Sequence, residues 1–549
     1  MFVSEFSLND CPSLSLALLF FLYAEIHYHF KIAPSRLYRR QPEIIADAPR
    51  RLDPRQPLPL LLLIKDAHLF PLELLAVEIE IAHGPTLRFK IFDAAERVAT
   101  QWWWRVFHID LPEEIRGHIK VNVAIDYRCR GKVYRCHNDN YRGTSHAPLD
   151  VLIAEAPLPS LPGFYHGDLH CHTNATSDQV EFGAPLPAMI PLAQAQGIAF
   201  FAATDHSYDL DDFPEDYLHN DPALHKWRAL QTEAQQLNAQ HRGFVVLPGE
   251  EVSCGNANGE NVHCLVLNHP YFIRGCGDGG EKWLHTKPDH TIAEVLAMLG
   301  PEALAFAAHP SVPAPKLERL LLRRGHWSIA DFAHTRLNGL QFWNGKSLGE
   351  EEGFAHWRSL LLEGRKLFAL AGNDAHGNFN RYRQIAWPCL SMAENHDHLF
   401  GHRRTVAKLN GSLNLNRLLA ALRAGRAIIT TGPMLDLQVE CANGEVAQMG
   451  ERTTAPATHA TLAACSSAEF GKLERVVLWR GDLNRKREEK MLECTQFPQP
   501  YAYYLKLPLT HSESRCYLRA EVVSSQHDAV TSAPRTMTGL SNPVWILPQ

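Results

Sequence analysis

Between residues 164 and 376, short apolar runs alternate with helix-forming segments, and this alternation restricts the fold more than any other feature of the 549-residue chain. A helix-like segment at 185–196 precedes the apolar run 198–203, and another at 223–240 precedes the run 244–247. Such alternation is typical of parallel βα units, in which each helix returns the chain to the start of the next strand. The central region therefore predicts an α/β fold of the barrel type.

The regions on either side of this stretch read as strands without long helices. Apolar or alternating runs occur at 58–64, 74–81 and 121–127, and strands return after about residue 433. Three prolines in the segment 156–163 interrupt regular structure and mark a linker. A chain of this length also exceeds what one hydrophobic core can support. We therefore expect a β-sandwich-like domain over 1–160, a barrel over 161–433 and a second β-sandwich-like domain over 434–549.

Composition narrows the class of protein. The net charge of -6 and pI near 6.6 do not predict a nucleic-acid partner. The 30 histidines favour metal chemistry, whereas the 12 cysteines form no Cys-x-x-Cys pair and predict no zinc ribbon. The apolar run 14–24 is shorter than the roughly 17 to 25 residues that span a bilayer, and no basic residue precedes it. We expect a cytoplasmic protein with no membrane segment.

Metal-binding side chains follow successive predicted strands of the central region. His170 and His172 end the first strand, and the period of two places both imidazoles on one face. The later strand ends carry the other candidates: His206, Glu251, His263, His309, Asp374 and His376. Because the carboxyl ends of barrel strands share one face, these side chains are expected to converge. The sequence therefore predicts a site for two or three divalent cations.

Two adjacent glutamates compete for a bridging position in this site. Neighbouring residues of a strand point to opposite faces, so Glu250 and Glu251 cannot both reach the ions. The spacing from Gly249 favours Glu251. Glu250 is then expected to face the helices or solvent, where an arginine would hold it.

The ordered motifs resemble those of the polymerase and histidinol phosphatase (PHP) superfamily. The similarity covers about residues 163 to 433, and its motifs lie at 164–173, 204–206, 249–253, 308–310 and 372–376. It implies a distorted (β/α)7 barrel with two or three Zn, Mn or Fe ions that hydrolyses phosphoesters. The ligands implied by the resemblance are His170, His172, Asp178, His206, Glu251, His263, His309, Asp374 and His376, with Asp374 and His206 also taking a direct part in catalysis.

The segments 421–433 and 541–545, together with the flanking β domains, are similar to the carbaryl-hydrolase-like branch of that superfamily. The expected function is a phosphoesterase that uses a metal-bridged hydroxide on a small phosphorylated ester. The branch keeps a carbamate, amide or carboxylic-ester hydrolase open, and a non-catalytic binding protein is a third alternative. No Gly-x-Ser-x-Gly elbow and no P-loop occur, so covalent serine chemistry is not predicted.

Three cationic residues are candidates for binding the substrate. Arg381 and Arg383 follow the last metal motif and have the fork geometry that binds an anion with two hydrogen bonds. Lys346 follows the strand that ends at residue 344. All three are expected in loops at the mouth of the site.

Overall fold

A computed structural model describes residues 41–82, 86–141, 144–177, 182–277, 285–387, 391–510, 514–527 and 534–548. The apolar run 14–24 and the candidate ligand Asp178 lie outside the described residues. Within these ranges, no helix combines the length and the apolar character needed to cross a membrane.

The N-terminal region consists of two sheets that share one apolar core. Its strands are β1 (Glu43–Asp47), β2 (Arg51–Leu52), β3 (Leu58–Lys65), β4 (Leu72–Ala82), β5 (Thr86–Val98), β6 (Trp102–Ile109), β7 (Gly117–Cys129), β8 (Lys132–His137) and β9 (Leu149–Ile153). One sheet has the order β1-β3-β6 and the other β2-β9-β7-β4-β5, with β8 on β7. Alternate apolar residues such as Leu60, Val77 and Val123 are fully buried between them.

The central region holds most of the helices. Its strands are β10 (Phe164–His172), β11 (Phe200–Ala203), β12 (Asp212–Phe213), β13 (Asp216–Asn220), β14 (Val245–Gly255), β15 (Asn261–Leu267), β16 (Leu304–Ala308), β17 (Gly339–Trp343), β18 (Phe368–Ala371), β19 (Ala375–His376), β20 (Tyr382–Trp387), β21 (Ser391–Asn395), β22 (Arg404–Lys408) and β23 (Ala427–Thr430). Its helices are α1 (Leu186–Ala195), α2 (Ser207–Leu210), α3 (His225–Gln240), α4 (Ile292–Met298), α5 (Lys316–Leu321), α6 (Glu350–Leu362) and α7 (Leu415–Ala424).

Local sequence accounts for the ends of these helices. Helix α4 begins with a capping box, in which the Thr291 side chain and Glu294 satisfy each other's backbone donors. Helix α7 begins where the Asn414 side chain accepts the amide hydrogen of Arg417, and it ends at Gly425, whose φ of 79° suits a left-handed cap.

The C-terminal region is again made of strands. They are β24 (Met434–Cys441), β25 (Val446–Gln448), β26 (Arg452–Thr453), β27 (Ala457–Cys465), β28 (Lys472–Asp482), β29 (Arg487–Cys494), β30 (Ala502–Pro508), β31 (Cys516–His527), β32 (Pro534–Ser541) and β33 (Val544–Ile546). A four-stranded sheet of order β25-β24-β27-β30 packs on strands β28 and β31 through residues such as Leu437, Leu462 and Leu478.

The prediction of a distorted (β/α)7 barrel between two separate sandwiches is wrong. Strand β14 pairs antiparallel with β15, and β15 pairs antiparallel with β16, so the central sheet is mixed. Residues 256–260 join β14 to β15 directly, and a link this short excludes the crossover that parallel strands need. The central strands also continue through β23, β32, β31, β28 and β29 into one 16-stranded sheet. Over the described residues of the whole chain, strands account for 45% and helices for 14%.

Strand β10 pairs with three other strands where the candidate site lies. Strand β10 pairs parallel with β11 on one edge and antiparallel with β22 on the other. The short strand β19 also pairs with the end of β10, which sets His376 beside His172. The end of β10, the middle of β14, the start of β15 and the residues just after β11, β16 and β18 therefore lie close together.

Candidate metal centre

Glu251 lies at the middle of a cluster of histidines, completely buried. Its Oε1 is 2.7 Å from Nδ1 of His263 and 3.0 Å from Nε2 of His309. Its Oε2 faces three more ring nitrogens, at 3.1, 3.3 and 3.2 Å, which belong to His170, His172 and His206. The two carboxylate oxygens thus face two different sets of imidazoles.

Strand β10 supplies two of these imidazoles from one face, as its period of two predicts. The Nε2 atoms of His170 and His172 lie 3.3 and 3.0 Å from Oδ1 of Asp374, and both side chains are fully buried. Asp374 follows strand β18, and its amide donates to the carbonyl of His170 at 2.8 Å. The backbone hydrogen bond therefore holds Asp374 opposite both histidines.

Two of the clustered residues have strained backbones. The φ angle is 29° at His309 and 54° at Asp374, values that cost a side chain with a Cβ about 1 to 3 kcal/mol. Their side chains are also partly exposed, at 19% and 21%. The surrounding structure therefore holds both residues in place on a partly exposed side of the cluster.

Hydrogen bonds to neighbours orient several of the rings. The Gln341 amide donates to the Trp343 carbonyl and to Asn344, so its oxygen faces Nδ1 of His170 at 3.0 Å. In His376, Nδ1 faces the backbone carbonyl of Asp374 at 3.2 Å, and the ring stacks on that of His172. Each contact directs a hydrogen to Nδ1 and leaves Nε2 without one, which is the form that binds a metal.

Buried polar atoms without hydrogen-bond partners converge in the cluster. Five such atoms belong to the cluster: His170 Nε2, His172 Nδ1, His206 Nδ1, Glu251 Oε2 and His376 Nε2. An unpartnered buried polar atom costs about 1 to 3 kcal/mol, so several at one place indicate a missing ligand.

The spacing of these atoms fits divalent cations. In tetrahedral zinc sites with bonds near 2.1 Å, neighbouring ligand atoms lie roughly 3.4 Å apart, close to the separations around Glu251. In three overlapping groups the candidate ligand atoms all lie within 4.8 Å of one another: His170, His172, Glu251 and Asp374; His206, Glu251 and His263; and His172, His206 and His376. The mixed nitrogen and oxygen set suits Zn, Mn or Fe.

The charges of the cluster favour a cation. Burial raises the pKa of Glu251, but the surrounding histidines lower it further, so it stays well below its usual range. Burial lowers the pKa of His172, yet Asp374 and Glu251 raise it well above its usual value. Burial and the neighbouring His172 hold the pKa of His376 at about 3, so this ring is neutral. The carboxylates thus stabilise positive charge next to neutral imidazole ligands.

Glu250 points away from the cluster, and no arginine holds it. Its Oε2 accepts from the Ser207 hydroxyl at 3.2 Å, and its Oε1 accepts from the backbone amide of Ile273 at 3.2 Å. Burial raises its pKa to about 8, so the side chain is largely neutral at pH 7. A neutral acid needs no cationic partner, which explains why the expected arginine is absent among the described contacts.

Two buried aspartates of the motifs support the cluster rather than join it. Asp205 accepts four hydrogen bonds from the backbone amides and hydroxyls of Thr173 and Thr176. Asp168 accepts from both the backbone and the side-chain amide of Asn373, next to Asp374. These contacts anchor the segments that follow β10 and β18.

The three predicted substrate-binding residues have different positions. The Arg381 guanidinium is buried against the carbonyls of Ala147 and Pro148 and against Glu394, so it is not available to clamp a substrate. Arg383 lies in β20, and its side chain is outside the described part of the structure. Lys346 places its charge near His398, beside Asp374.

The sequence did not single out three residues near the cluster. His398 lies with Nδ1 3.8 Å from Oδ2 of Asp374, and Asn344 donates to the same oxygen at 3.4 Å. Gln341 orients His170. The sequence does contain a signal for Gln341, because a single amide side chain in the buried apolar strand β17 indicates a specific polar partner. His398 follows no predicted strand, so nothing local indicated it.

Comparisons with known proteins do not identify the chain. No family model matches it, and no curated protein resembles it. It aligns with a glycosyl hydrolase family 2 member from Bacteroides cellulosilyticus at 9% identity and a TM-score of 0.16, covering 92% of this chain and 63% of that one. A Parabacteroides merdae β-glucuronidase aligns at 7% identity and 0.17, covering 93% and 64%. The chain spans less than two thirds of the length of either protein. TM-scores this low do not indicate a shared fold.

Proposed function

We propose that this protein is a metal-dependent hydrolase of small phosphate esters. The observation that carries the proposal is the position of Glu251, whose two oxygens face five ring nitrogens in a buried pocket. A lone buried carboxylate among five imidazoles has little structural value, because it leaves several polar atoms without partners. Divalent cations held by these side chains would give the unpartnered atoms the partners that the protein does not supply.

The residues divide into groups by the oxygen they share. His170, His172 and Asp374 would hold one ion with Oε2 of Glu251, and His263 and His309 would hold a second with Oε1. His206 also faces Oε2, and with His172 and His376 it would form a third position. When bound, a pair of such ions supplies Lewis acidity and lowers the pKa of a coordinated water toward neutrality.

The chain's own side chains would orient the ester and exclude water around it. The open side of the cluster, at Asp374 and His309, is where a substrate would enter. His398 lies beside Asp374, and Lys346 lies near His398, so both would contact an anionic group there. This positive charge at the entrance favours phosphate esters over neutral carbamates or carboxylic esters. The ordered motifs support the further proposal of kinship with the PHP superfamily.

Elemental analysis combined with a substrate panel tests the proposal. The panel contains p-nitrophenyl phosphate, bis-p-nitrophenyl phosphate, p-nitrophenyl acetate and an aryl N-methylcarbamate. We expect bound transition metal, and turnover of a phosphate ester that chelation abolishes. Metal-loaded protein that hydrolyses only the acetate or the carbamate would refute the phosphoesterase assignment. Protein that binds less than one ion per chain after supplementation would refute the metal site.

A further inference from the structure

A cavity of about 560 Å³ lies apart from the histidine cluster. It forms where the N-terminal strands, the segment 396–404 and the C-terminal strands meet. None of its lining residues is one of those that surround Glu251. The cavity is therefore a separate feature, and a ligand bound there would not depend on the proposed function.

Two arginines of the cavity carry donors that nothing satisfies. Arg404 is 4% exposed and donates from Nη1 to the Gly401 carbonyl at 3.1 Å, while its Nε and Nη2 are buried without partners. Arg50 likewise has a buried Nη1 without a partner. No salt bridge joins either guanidinium to a carboxylate of the described residues. Buried arginine is normally paired, so these donors require an acceptor.

Two carboxylates in the lining of the cavity, Glu469 and Asp150, already have cationic partners. Arg51, also in the lining, binds Glu469 at 2.8 Å and contacts Asp53. Asp150 is paired with Lys120 at 2.9 Å. Asp150 acts on Arg50, and Glu469 acts on Arg404, only beyond ion-pair distance, so neither guanidinium has a close carboxylate among the described residues.

Titration does not remove that charge. Burial and the nearby Arg51 lower the pKa of Arg404 only to about 10, so the guanidinium stays protonated at neutral pH. Burial and the surrounding arginines hold the pKa of His402 at about 3, which leaves this ring neutral. The cavity therefore presents fixed positive charge at physiological pH.

Another part of the wall is apolar, beside polar residues such as Gln196 and Thr431. Its large side chains include Leu152, Leu158, Phe400, Phe470 and Met537. The Arg404 guanidinium lies 5.4 Å from the centre of the Phe470 ring, at the border between the charged and apolar parts. A volume of this size falls in the range of sites for small organic ligands, roughly 300 to 1,000 Å³.

We propose that this cavity is a binding site for a small organic oxyanion with an apolar body, such as an aryl or alkyl phosphate or carboxylate. Arg404 and Arg50 bind the oxyanion, and the apolar wall around Phe470 and Met537 binds the body. The planar guanidinium supplies parallel donors that match both kinds of oxyanion.

Calorimetric titration of the full-length protein tests the proposal. The probes are 1-naphthylphosphonate and 2-naphthoate, which share the apolar body and differ in the oxyanion, and 2-naphthol, which has no charge at neutral pH. We expect at least one of the two anions to bind and 2-naphthol to bind at least about tenfold more weakly. The anion that binds identifies the oxyanion. Equal binding of 2-naphthol, or no binding of either anion at millimolar concentration, would overturn the proposal.

Variants then locate the binding. Arg404→Gln and Arg50→Gln should each weaken the anion at least about tenfold, and Ala468→Trp should do so by filling the cavity without removing charge. Arg50 is partly exposed and Ala468 is exposed, so these two variants keep the test valid if Arg404→Gln fails to fold. Glu251→Gln, at the histidine cluster, should leave this binding unchanged. If Glu251→Gln loses anion binding while the three cavity variants keep it, the anion does not bind in this cavity and the proposal is wrong.

Discussion

Replacing Glu251 by glutamine should remove metal and activity together, whereas the same change at Glu250 should remove neither. The two residues are adjacent, equally buried and equal in size, so they form a matched pair. They differ in what they face. Glu251 faces five ring nitrogens, and Glu250 faces the hydroxyl of Ser207 and the amide of Ile273.

The magnitude follows from those contacts. A carboxamide at position 251 keeps one oxygen and replaces the other with a donor that cannot bind a cation, so one of the two facing sets of imidazoles loses its shared ligand. We expect at least one ion per chain to be lost. Losing this ion should remove about 4 kcal/mol of transition-state stabilisation, which lowers kcat by at least about a thousandfold.

At position 250 the expected effect is small. Burial raises the pKa of Glu250 to about 8, so the neutral acid already predominates at pH 7. Glutamine matches its shape, accepts from the same amide and donates to the Ser207 oxygen. The change in kcat should stay below about tenfold, or about 1.4 kcal/mol.

The assay compares both variants with the native protein after identical metal supplementation. Metal content is measured by mass spectrometry, kcat on the best ester of the panel, and folding by circular dichroism. If Glu250→Gln loses its metal while Glu251→Gln keeps it, strand β14 is out of register by one residue. If both variants keep metal and activity, Glu251 bridges nothing and the proposed site is wrong.

Three further predictions use the same assays. His170→Ala and Asp374→Ala should each lower kcat by at least about a thousandfold, and full activity in either would exclude that residue as a ligand. Lys346→Met should raise KM for a phosphate ester more than it lowers kcat; an unchanged KM would remove Lys346 from the substrate site. His166 donates to the Pro159 carbonyl at 3.0 Å, and burial lowers its pKa to about 3. The unfolded chain protonates this histidine near pH 6.5, whereas the folded protein does so only near pH 3. The free energy of unfolding should therefore decrease as the pH falls through this range, by at most about 5 kcal/mol. His166→Gln should flatten that fall in denaturant titrations, and an unchanged slope would contradict the assignment.

Local sequence pattern alone determined several features of the candidate site. The period of two in a strand places His170 and His172 on one face and separates Glu251 from Glu250, whatever the surrounding fold. The shortness of the link at 256–260 also required β14 and β15 to run antiparallel. No helical segment separates these two strands, so the alternation of strands and helices that predicts a barrel is interrupted at this point.

Only the tertiary structure determined which distant residues meet. Gln341 orients His170 across 171 positions of sequence, and that contact depends on the order of strands in the sheet. Nothing near Arg381 indicated that the carbonyls of Ala147 and Pro148 would occupy it. The unpaired charge of Arg404 likewise exists only because three regions of the chain enclose one cavity. Backbone periodicity is set within a few residues, whereas burial and charge pairing depend on which surfaces are brought together when the chain folds.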